Sequence, residues 1–309
     1  MILIADSGST KTDWTLIHPS PFNLRYDIAA TFQTQGITPI HQSSADIRQI
    51  LGQELLHELS TFPRSALYEA GGLSTPLFQD MNVFFYGSGC TPAHVPAMSQ
   101  LLAEVLSTKT VEVHSDLMAA ARALCGHESG IACILGTGAN SCLYDGEKIV
   151  QNTPALGYIL GDEGSGSVLG RLFLNAIFKR PELADMRDEF LGQQKLTMAD
   201  IIRKVYNEPM ANRFLGTCSL FISEHLQNPH LRQLVVDNFR QFFRSNIAPY
   251  KHKDLPVHFI GSMANSYQDE LNEAATLEGY TVGKIMKSPM EGLIAYHSDM
   301  NKSSSTQTL

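Results

Sequence analysis

The sequence predicts an α/β protein made of two similar domains, and three observations carry that prediction. The chain opens on an apolar run, Ile2 to Ala5, that reads as a buried strand; it passes through the turn Ser7-Gly8-Ser9-Thr10-Lys11-Thr12 into a second strand-like run, Trp14 to Ile17. The same design recurs at 130–146, where Ile131 to Leu135 reaches Gly136-Thr137-Gly138 and another strand opens at Ser141. Around these hairpins strand patterns alternate with helical ones, which is the organisation of an α/β protein.

The first hairpin presents a carboxylate (Asp6), hydroxyls, backbone amides and one Lys at its tip. Such a tip can hold a phosphate chain through N–H and O–H donors, and Asp6 can hold a hydrated Mg²⁺. Gly, Ser and Asp are also ordinary turn residues, so a plain polar turn is the competing reading. A P-loop is excluded, because G-x-x-x-x-G-K-[ST] occurs nowhere in the chain and a P-loop leads into a helix.

Ile47, Ile50, Leu51, Leu55 and Leu59 fall at helical spacing. Val83 to Tyr86 is a strand ending at Gly87-Ser88-Gly89-Cys90, and Val95 to Leu106 is a helix. A further strand from Val111 ends at Asp116, where Ala-rich residues of high helix propensity begin. An Asp at that junction suits a helix N-cap.

The stretch 155–171 holds five glycines between Gly157 and Gly170, with Asp162 and Glu163 among them, ahead of a helix over Val168 to Lys179. Glycines allow close backbone approach to a ligand, whereas capping alone accounts for Ser165 or Ser167. Residues 168–250 are mainly helical, with Thr197 to Asp200 as a capping-box variant. Phe239, Phe242 and Phe243 read as core. Val257 to Ile260 is a strand that stops at Gly261-Ser262 before another helix.

Taken in order, these landmarks resemble the sugar-kinase, Hsp70 and actin superfamily. The run from Ala155 to Arg171 resembles the signature of the N-acetylglucosamine kinase family within the BadF/BadG/BcrA/BcrD group, and Ser288 to His297 resembles that family's closing helix. The resemblance spans residues 2 to 298. It implies two ribonuclease H-like domains of the actin-like ATPase type with a cleft between them: 1–116 plus about 289–300, then 117–288 with a helical insertion, followed by a flexible tail at 301–309.

By the same resemblance, ATP is held by Gly8, Ser9, Thr10, Lys11, Thr12, Gly136, Thr137 and Gly138, with Gly261 and Ser262 under the nucleoside. Asp6 holds Mg²⁺, and Asp116 is the catalytic base. Thr38, Asn140, Gly161, Asp162 and Ser165 contact an amino sugar, either N-acetylglucosamine or a relative such as N-acetylmuramic acid. Thr38, in Gly36-Ile37-Thr38-Pro39, stands where the family has Asn, and it offers a hydroxyl instead of an amide's paired donor and acceptor. The domains are expected to close on ligand about hinges near Asp116 and Ser288 to Gly292. A BadF-type ATPase that activates a partner enzyme is the alternative.

Composition sets the limits. The chain has 309 residues, 43% hydrophobic and 17% charged, which suits two domains. A net charge of −8 without a basic cluster argues against nucleic acid. No apolar run approaches a membrane span, and the start lacks the features of a signal peptide. Five cysteines with no C-x-x-C fit a reduced, cytoplasmic chain. Homodimer formation is compatible with all of this.

Overall fold

The structure, a computed structural model, describes residues 1–20, 26–61 and 81–305. The chain divides into two compact units, Met1–Gly126 together with Pro289–Leu309, and His127–Ser288. The helix Asp116–Cys125 therefore belongs to the first unit, although the sequence reading began the second domain at 117. The reason is packing. A Cβ on Gly292 of the closing helix, Met290–Ser305, would stand 2.4 Å from the Ala123 carbonyl, so the two helices meet at backbone distance. The closing helix runs on to Ser305, into the stretch read as a tail; 306–309 lie outside the described residues.

The first unit is built on a five-stranded sheet in the order β3-β2-β1-β4-β5. Its strands are β1 (Ile2–Ser7), β2 (Lys11–Pro19), β3 (Tyr26–Gln35), β4 (Asn82–Gly87) and β5 (Thr110–Ser115). β1 pairs antiparallel with β2 and parallel with β4. The register sets Asp6 opposite Asp13 on one side and Tyr86 on the other. β1 and β4 are near-continuous apolar runs because both faces are covered, as parallel central strands require. Trp14 is fully buried and donates its indole N–H to Thr34 Oγ1 at 3.0 Å, so the largest core side chain also satisfies its polar atom.

The second unit repeats this plan. Its strands are β6 (Gly130–Leu135), β7 (Ala139–Tyr144), β8 (Ile149–Thr153), β9 (Val257–Ile260) and β10 (Val282–Met286), in the order β10-β9-β6-β7-β8. β6 takes the place of β1, paired antiparallel with a hairpin partner and parallel with a later strand. The weak internal repeat in the sequence is thus a repeat of topology. Between β8 and β9 lies the expected helical region, which includes Gly166–Lys179, Ala184–Gln194, Met198–Tyr206, Ala211–Glu224 and Pro229–Phe242. Phe239, Phe242 and Phe243 are fully buried there, against Phe259 and Tyr267, as core residues. Thr197 and Asp200 cap Met198–Tyr206 reciprocally, the complete capping box.

Candidate active site

The sequence-selected residues fall into two groups, one in each unit. In the first unit they gather at the C-terminal ends of β1, β4 and β5, where ligands bind in open α/β sheets. β1 extends through Asp6 to Ser7, and β2 begins at Lys11, so the turn is tighter than the sequence suggested. The Gly8 N–H donates to the Lys11 carbonyl at 3.0 Å to close it.

Gly8, Ser9 and Thr10 are exposed at the tip. Thr12 is not: it is fully buried, its hydroxyl 2.6 Å from Ser7 Oγ and donating to the Gln35 carbonyl at 3.1 Å. Thr12 thus occupies a scaffold position within the hairpin. The Lys11 ammonium pairs with Asp13 at 2.9 Å on the exposed side.

A residue that carried no signal of its own sets the shape of this turn. Gly36, buried at the end of β3, lies directly beneath it. A Cβ there would stand 2.4 Å from the Gly8 carbonyl oxygen and 2.7 Å from the backbone of both Ser9 and Thr10. The Gly36 N–H also donates to the Thr10 carbonyl at 3.1 Å. From Gly36 the chain passes to Thr38, which is buried and whose Oγ1 has no hydrogen-bond partner. A buried hydroxyl left unsatisfied calls for an explanation, and a ligand oxygen or nitrogen would supply one.

Asp116 is the first residue of its helix. The N-cap is Ser115, whose Oγ accepts from the Met118 N–H at 3.3 Å. The capping alternative for Asp116 is therefore filled by its neighbour, and Asp116 Oδ1 takes the Leu117 N–H at 2.9 Å. Burial holds the Asp116 carboxyl above its ordinary range, opposed by those backbone N–H bonds. Asp116 lines a pocket of about 370 Å³ with Gly89, Cys90, Thr91, His114 and Met118. Burial and then the Asp116 charge push the Cys90 thiol up to about 12, so this cysteine is an inert wall. The sequence reading missed His114 and the 89–91 loop; the glycines flanking Ser88 were the available signal.

Behind this pocket lies a buried polar network. Arg122 Nη1 donates to Tyr86 OH at 2.7 Å, and Tyr86 OH is 2.9 Å from His297 Nε2. His114 Nε2 lies 3.2 Å from Glu112. Burial and the Arg122 charge lower the His297 pKa to about 3, so this imidazole is neutral at ordinary pH. The network fixes the Asp116 helix to β4 and to the closing helix.

Asp6 is raised to about 7, first by burial, then by the charges of Asp13 and Asp116, with Lys11 opposing. The three carboxylates share one electrostatic field, whose repulsion a bound cation would relieve. Among the described residues, no group of three or more His, Cys, Asp or Glu side chains converges on a single metal position. A cation here would thus share its coordination with phosphate oxygens and water.

The sign of the shift yields a stability prediction. An acid whose folded pKa is raised destabilises the fold as pH climbs from its unfolded value, 3.8, through about 7. Asp6→Asn removes that loss. The melting temperature of the ligand-free protein should rise by a few degrees at about pH 8, on the scale of ~2–4 °C per kcal/mol for domains of this size, and change little at about pH 4. Thermal melts of both proteins at the two pH values check this; equal shifts at both would refute it.

In the second unit the β6–β7 turn, Gly136 to Gly138, is closed by the Gly136 N–H donating to the Gly138 carbonyl at 3.0 Å. The start of the helix Gly166–Lys179 docks on this turn: the Gly166 N–H donates to the Gly136 carbonyl at 2.8 Å, and Ser167 Oγ to the Thr137 carbonyl at 2.7 Å. Gly261, at φ +125°, packs on the other side, where a Cβ would be 2.3 Å from the Leu135 carbonyl. Gly216, unremarked in the sequence because it sits mid-helix, packs beside Thr137, whose Cγ2 would be in ordinary contact with a Cβ there at 3.5 Å. Gly136, Thr137, Gly138 and Gly261 are therefore brought together, with Ser262 exposed at the start of the helix Ser262–Ser266.

Asp162 belongs to the same cluster. A Cβ on Gly138 would lie 3.1 Å from Asp162 Oδ2. Asp162 has φ +56°, a strained conformation for a non-glycine residue. Burial raises its carboxyl to about 6, opposed by the Ala139 and Gly157 N–H groups and reinforced by the Glu163 charge. A carboxyl raised toward neutrality beside a glycine turn marks a functional-site candidate. Gly161 is required by space, since its Cβ would meet the Ala155 carbonyl at 2.1 Å. Asn140 is half-buried with its Oδ1 already taken by the Ser141 N–H and Asn152 Nδ2, each at 2.9 Å, which leaves its amide as a donor. Ser165 is fully buried; its hydroxyl caps the helix by accepting from the Val168 N–H at 3.2 Å, a scaffold position like that of Thr12.

A structure titled "putative N-acetylglucosamine kinase" from Porphyromonas gingivalis is 43% identical over 97% of this chain and 99% of its own, with a TM-score of 0.84. The chain belongs to this N-acetylglucosamine kinase-like family. A second structure with that title, from Chromobacterium violaceum, is 18% identical over 96% of this chain and 98% of its own, with a TM-score of 0.63, and shows the shared fold. Both units are accordingly ribonuclease H-like domains of the actin-like ATPase type. No family model and no curated protein matches the chain. Among the described residues, no helix of this family member is long and apolar enough to cross a membrane.

Proposed function

We propose that this protein is an ATP-dependent sugar kinase that phosphorylates a hydroxyl of an amino sugar, N-acetylglucosamine or a relative such as N-acetylmuramic acid. The observation that carries the reading is the first-unit pocket: a half-buried Asp116 carboxylate lining it, close enough to the Asp6 carboxylate for their charges to interact. Phosphoryl transfer asks the protein for positioning and charge stabilisation rather than covalent chemistry. Asp116 accepts the proton of the attacking hydroxyl. The Gly8 and Gly136 N–H groups close their turns, so the phosphate donors at the two hairpin tips would be the Ser9, Thr10 and Thr137 hydroxyls and N–H groups and the Gly138 N–H. Asp6 would hold Mg²⁺ through water, and the bound ion would neutralise charge on the phosphates. Thr38 and Asn140 offer polar contacts to the sugar, and Asp162 a carboxyl that can accept or donate.

ATP turnover followed by ADP release, across a panel of amino sugars, tests this. Turnover should be slow without sugar and rise with one or more of the panel. Fast turnover indifferent to every sugar would favour the partner-activating ATPase. All five cysteines are buried, which weighs against a shared metal cluster held by surface thiolates.

Thr38 gives a sharper test of the pocket. Thr38→Val preserves shape and removes the unsatisfied hydroxyl, so the melting temperature should hold or rise. The KM for the sugar should increase roughly 3–10-fold, the scale of one neutral hydrogen bond. An unchanged KM would take Thr38 out of the sugar pocket.

A further inference from the structure

The helix Pro229–Phe242 and the turn Phe243–Ile247 that continues it carry two asparagines in the core of the second unit. Asn238 is 2% exposed and Asn246 3%, among the buried Leu234, Val235, Phe239 and Phe242. A buried amide costs stability unless it is hydrogen-bonded, and an apolar side chain at 238 would carry no such demand. Both amides reach out of the helix to one loop. Asn238 Oδ1 accepts from the Gly164 N–H at 3.1 Å, and its Nδ2 donates to the Ser165 carbonyl at 3.2 Å. Asn246 Nδ2 donates to Glu163 Oε2 at 3.1 Å. The three residues that follow Asp162 are thus gripped from a single helical segment. Glu163, which the mechanism above leaves without a role, is one of them.

Asp162 needs that grip. Its φ of +56° is rare for a side-chain-bearing residue, and Gly164 follows at +81°. Such a backbone persists only where its surroundings over-determine it. The loop's own bonds, Asp162 N–H to the Ala155 carbonyl and Ser165 N–H to the Asp162 carbonyl, each 3.0 Å, are local to 155–165. The Asn238 helix supplies the outside reference. Phe242, one turn on from Asn238, packs so closely that a Cβ on Gly164 would stand 2.8 Å from its Cβ. The far end of the loop is anchored separately, by the Gly166 N–H on the Gly136 carbonyl at 2.8 Å.

Asn246 extends the grip to the strands that carry Asn140. Its backbone carbonyl accepts from Thr153 Oγ1 at 2.9 Å and from Ser141 Oγ at 3.4 Å. Ser141 follows Asn140 on β7, and Asn152, beside Thr153, donates to Asn140 Oδ1 at 2.9 Å.

We infer that Asn238 and the Asn246–Glu163 pair are positioning residues that hold Asp162 and Asn140 in one fixed geometry for the acceptor sugar. The inference rests on the reading of Asp162 and Asn140 as sugar contacts. Groups that meet a ligand must be held within about 0.5 Å by partners whose own bonds lock them, and these three side chains are such partners.

The test combines sugar kinetics with a readout that needs no sugar. Asn238→Leu keeps the branched shape and removes both bonds to the loop. The carbon-13 signal of the Asp162 carboxyl, identified by its absence from Asp162→Asn, should titrate lower in Asn238→Leu than in the native protein. It should move from about 6 toward the ordinary 3.8, because a released loop lets the carboxyl reach water. With N-acetylglucosamine and N-acetylmuramic acid as probes, the KM of whichever is accepted should rise roughly tenfold or more. The KM for ATP should stay within about twofold, since the Gly136 turn keeps its own bonds to Gly166 and Ser167. Glu163→Ala should raise the sugar KM roughly 3–10-fold, and Glu163→Gln, which keeps an oxygen for Asn246 Nδ2, should recover most of that loss. Circular dichroism checks the fold; if Asn238→Leu fails to fold, the half-buried Glu163 pair of variants decides. An Asp162 titration unmoved in folded Asn238→Leu, or a KM for ATP rising in step with that for sugar, would overturn the inference. So would Glu163→Gln behaving as Glu163→Ala. A native protein that binds neither sugar sinks the kinase reading instead, and the Asp162 titration then decides alone whether Asn238 positions that carboxyl.

Discussion

Asp116→Asn is expected to lower sugar-dependent ATP turnover by roughly 10²–10⁴-fold, the usual scale for loss of a general base, while the protein melts at its normal temperature. The structure makes this a clean substitution. Ser115 caps the helix, so the capping hydrogen bond survives. The Asn side-chain oxygen can still take the Leu117 N–H that Asp116 takes at 2.9 Å. What disappears is a carboxylate able to accept a proton. Burial raises the Asp116 pKa above the ordinary 3.8, so the acid limb of kcat/KM in the native protein should fall at a pH higher than an exposed Asp would give. Steady-state kinetics against pH and a thermal melt decide the matter. A variant that melts normally and retains more than about a tenth of the wild-type rate would remove Asp116 from the reaction, and Asp162, at about 6, would be the next candidate base.

Gly36→Ala is expected to damage nucleotide use nearly as much, although Gly36 touches no ligand in the proposed mechanism. Its Cβ would need the space of the Gly8 carbonyl oxygen at 2.4 Å and of the Ser9 and Thr10 backbone at 2.7 Å. Those neighbours are main chain and cannot swing aside as a flexible side chain would. The turn must move as a unit, and its phosphate donors move with it. A misplacement of about 1 Å at a reacting centre can cost on the order of 10²-fold in rate. The control is Gly8→Ala, at the tip itself, where the nearest atom to a Cβ is the Lys11 carbonyl oxygen at 3.8 Å, an ordinary contact. The glycine that a motif search selects should tolerate Ala far better than the one beneath it. Comparable KM for ATP in the two variants would contradict this account of the turn.

The sequence by itself determined the class of fold and pointed to most of the residues of the candidate site. Two glycine turns, each set between apolar strands, announced the duplicated unit, because alternation of apolar runs and turn residues is a local signal that needs no knowledge of packing. The Asp116 junction, the Gly161-Asp162 loop and the Gly261 turn were legible for the same reason. Each breaks a regular element with residues that the element alone does not call for.

Tertiary structure decided what those residues do. Thr12 and Ser165 look like ligand contacts in a list of hydroxyls, yet pairing between strands and the start of a helix bury both and engage their oxygens inside the fold. Gly36 and Gly216 look incidental, yet each lies under a turn that is remote from it in the sequence. His114 and the 89–91 loop reach the Asp116 pocket only because β4 and β5 lie side by side. The raised pKa of Asp6 likewise depends on Asp13 across the hairpin and on Asp116, which lies far along the chain. Periodicity reports which face of an element is covered, whereas the identity of the covering atoms, and hence the fate of a hydroxyl or the charge on a carboxyl, is settled by contacts between segments that no local pattern encodes.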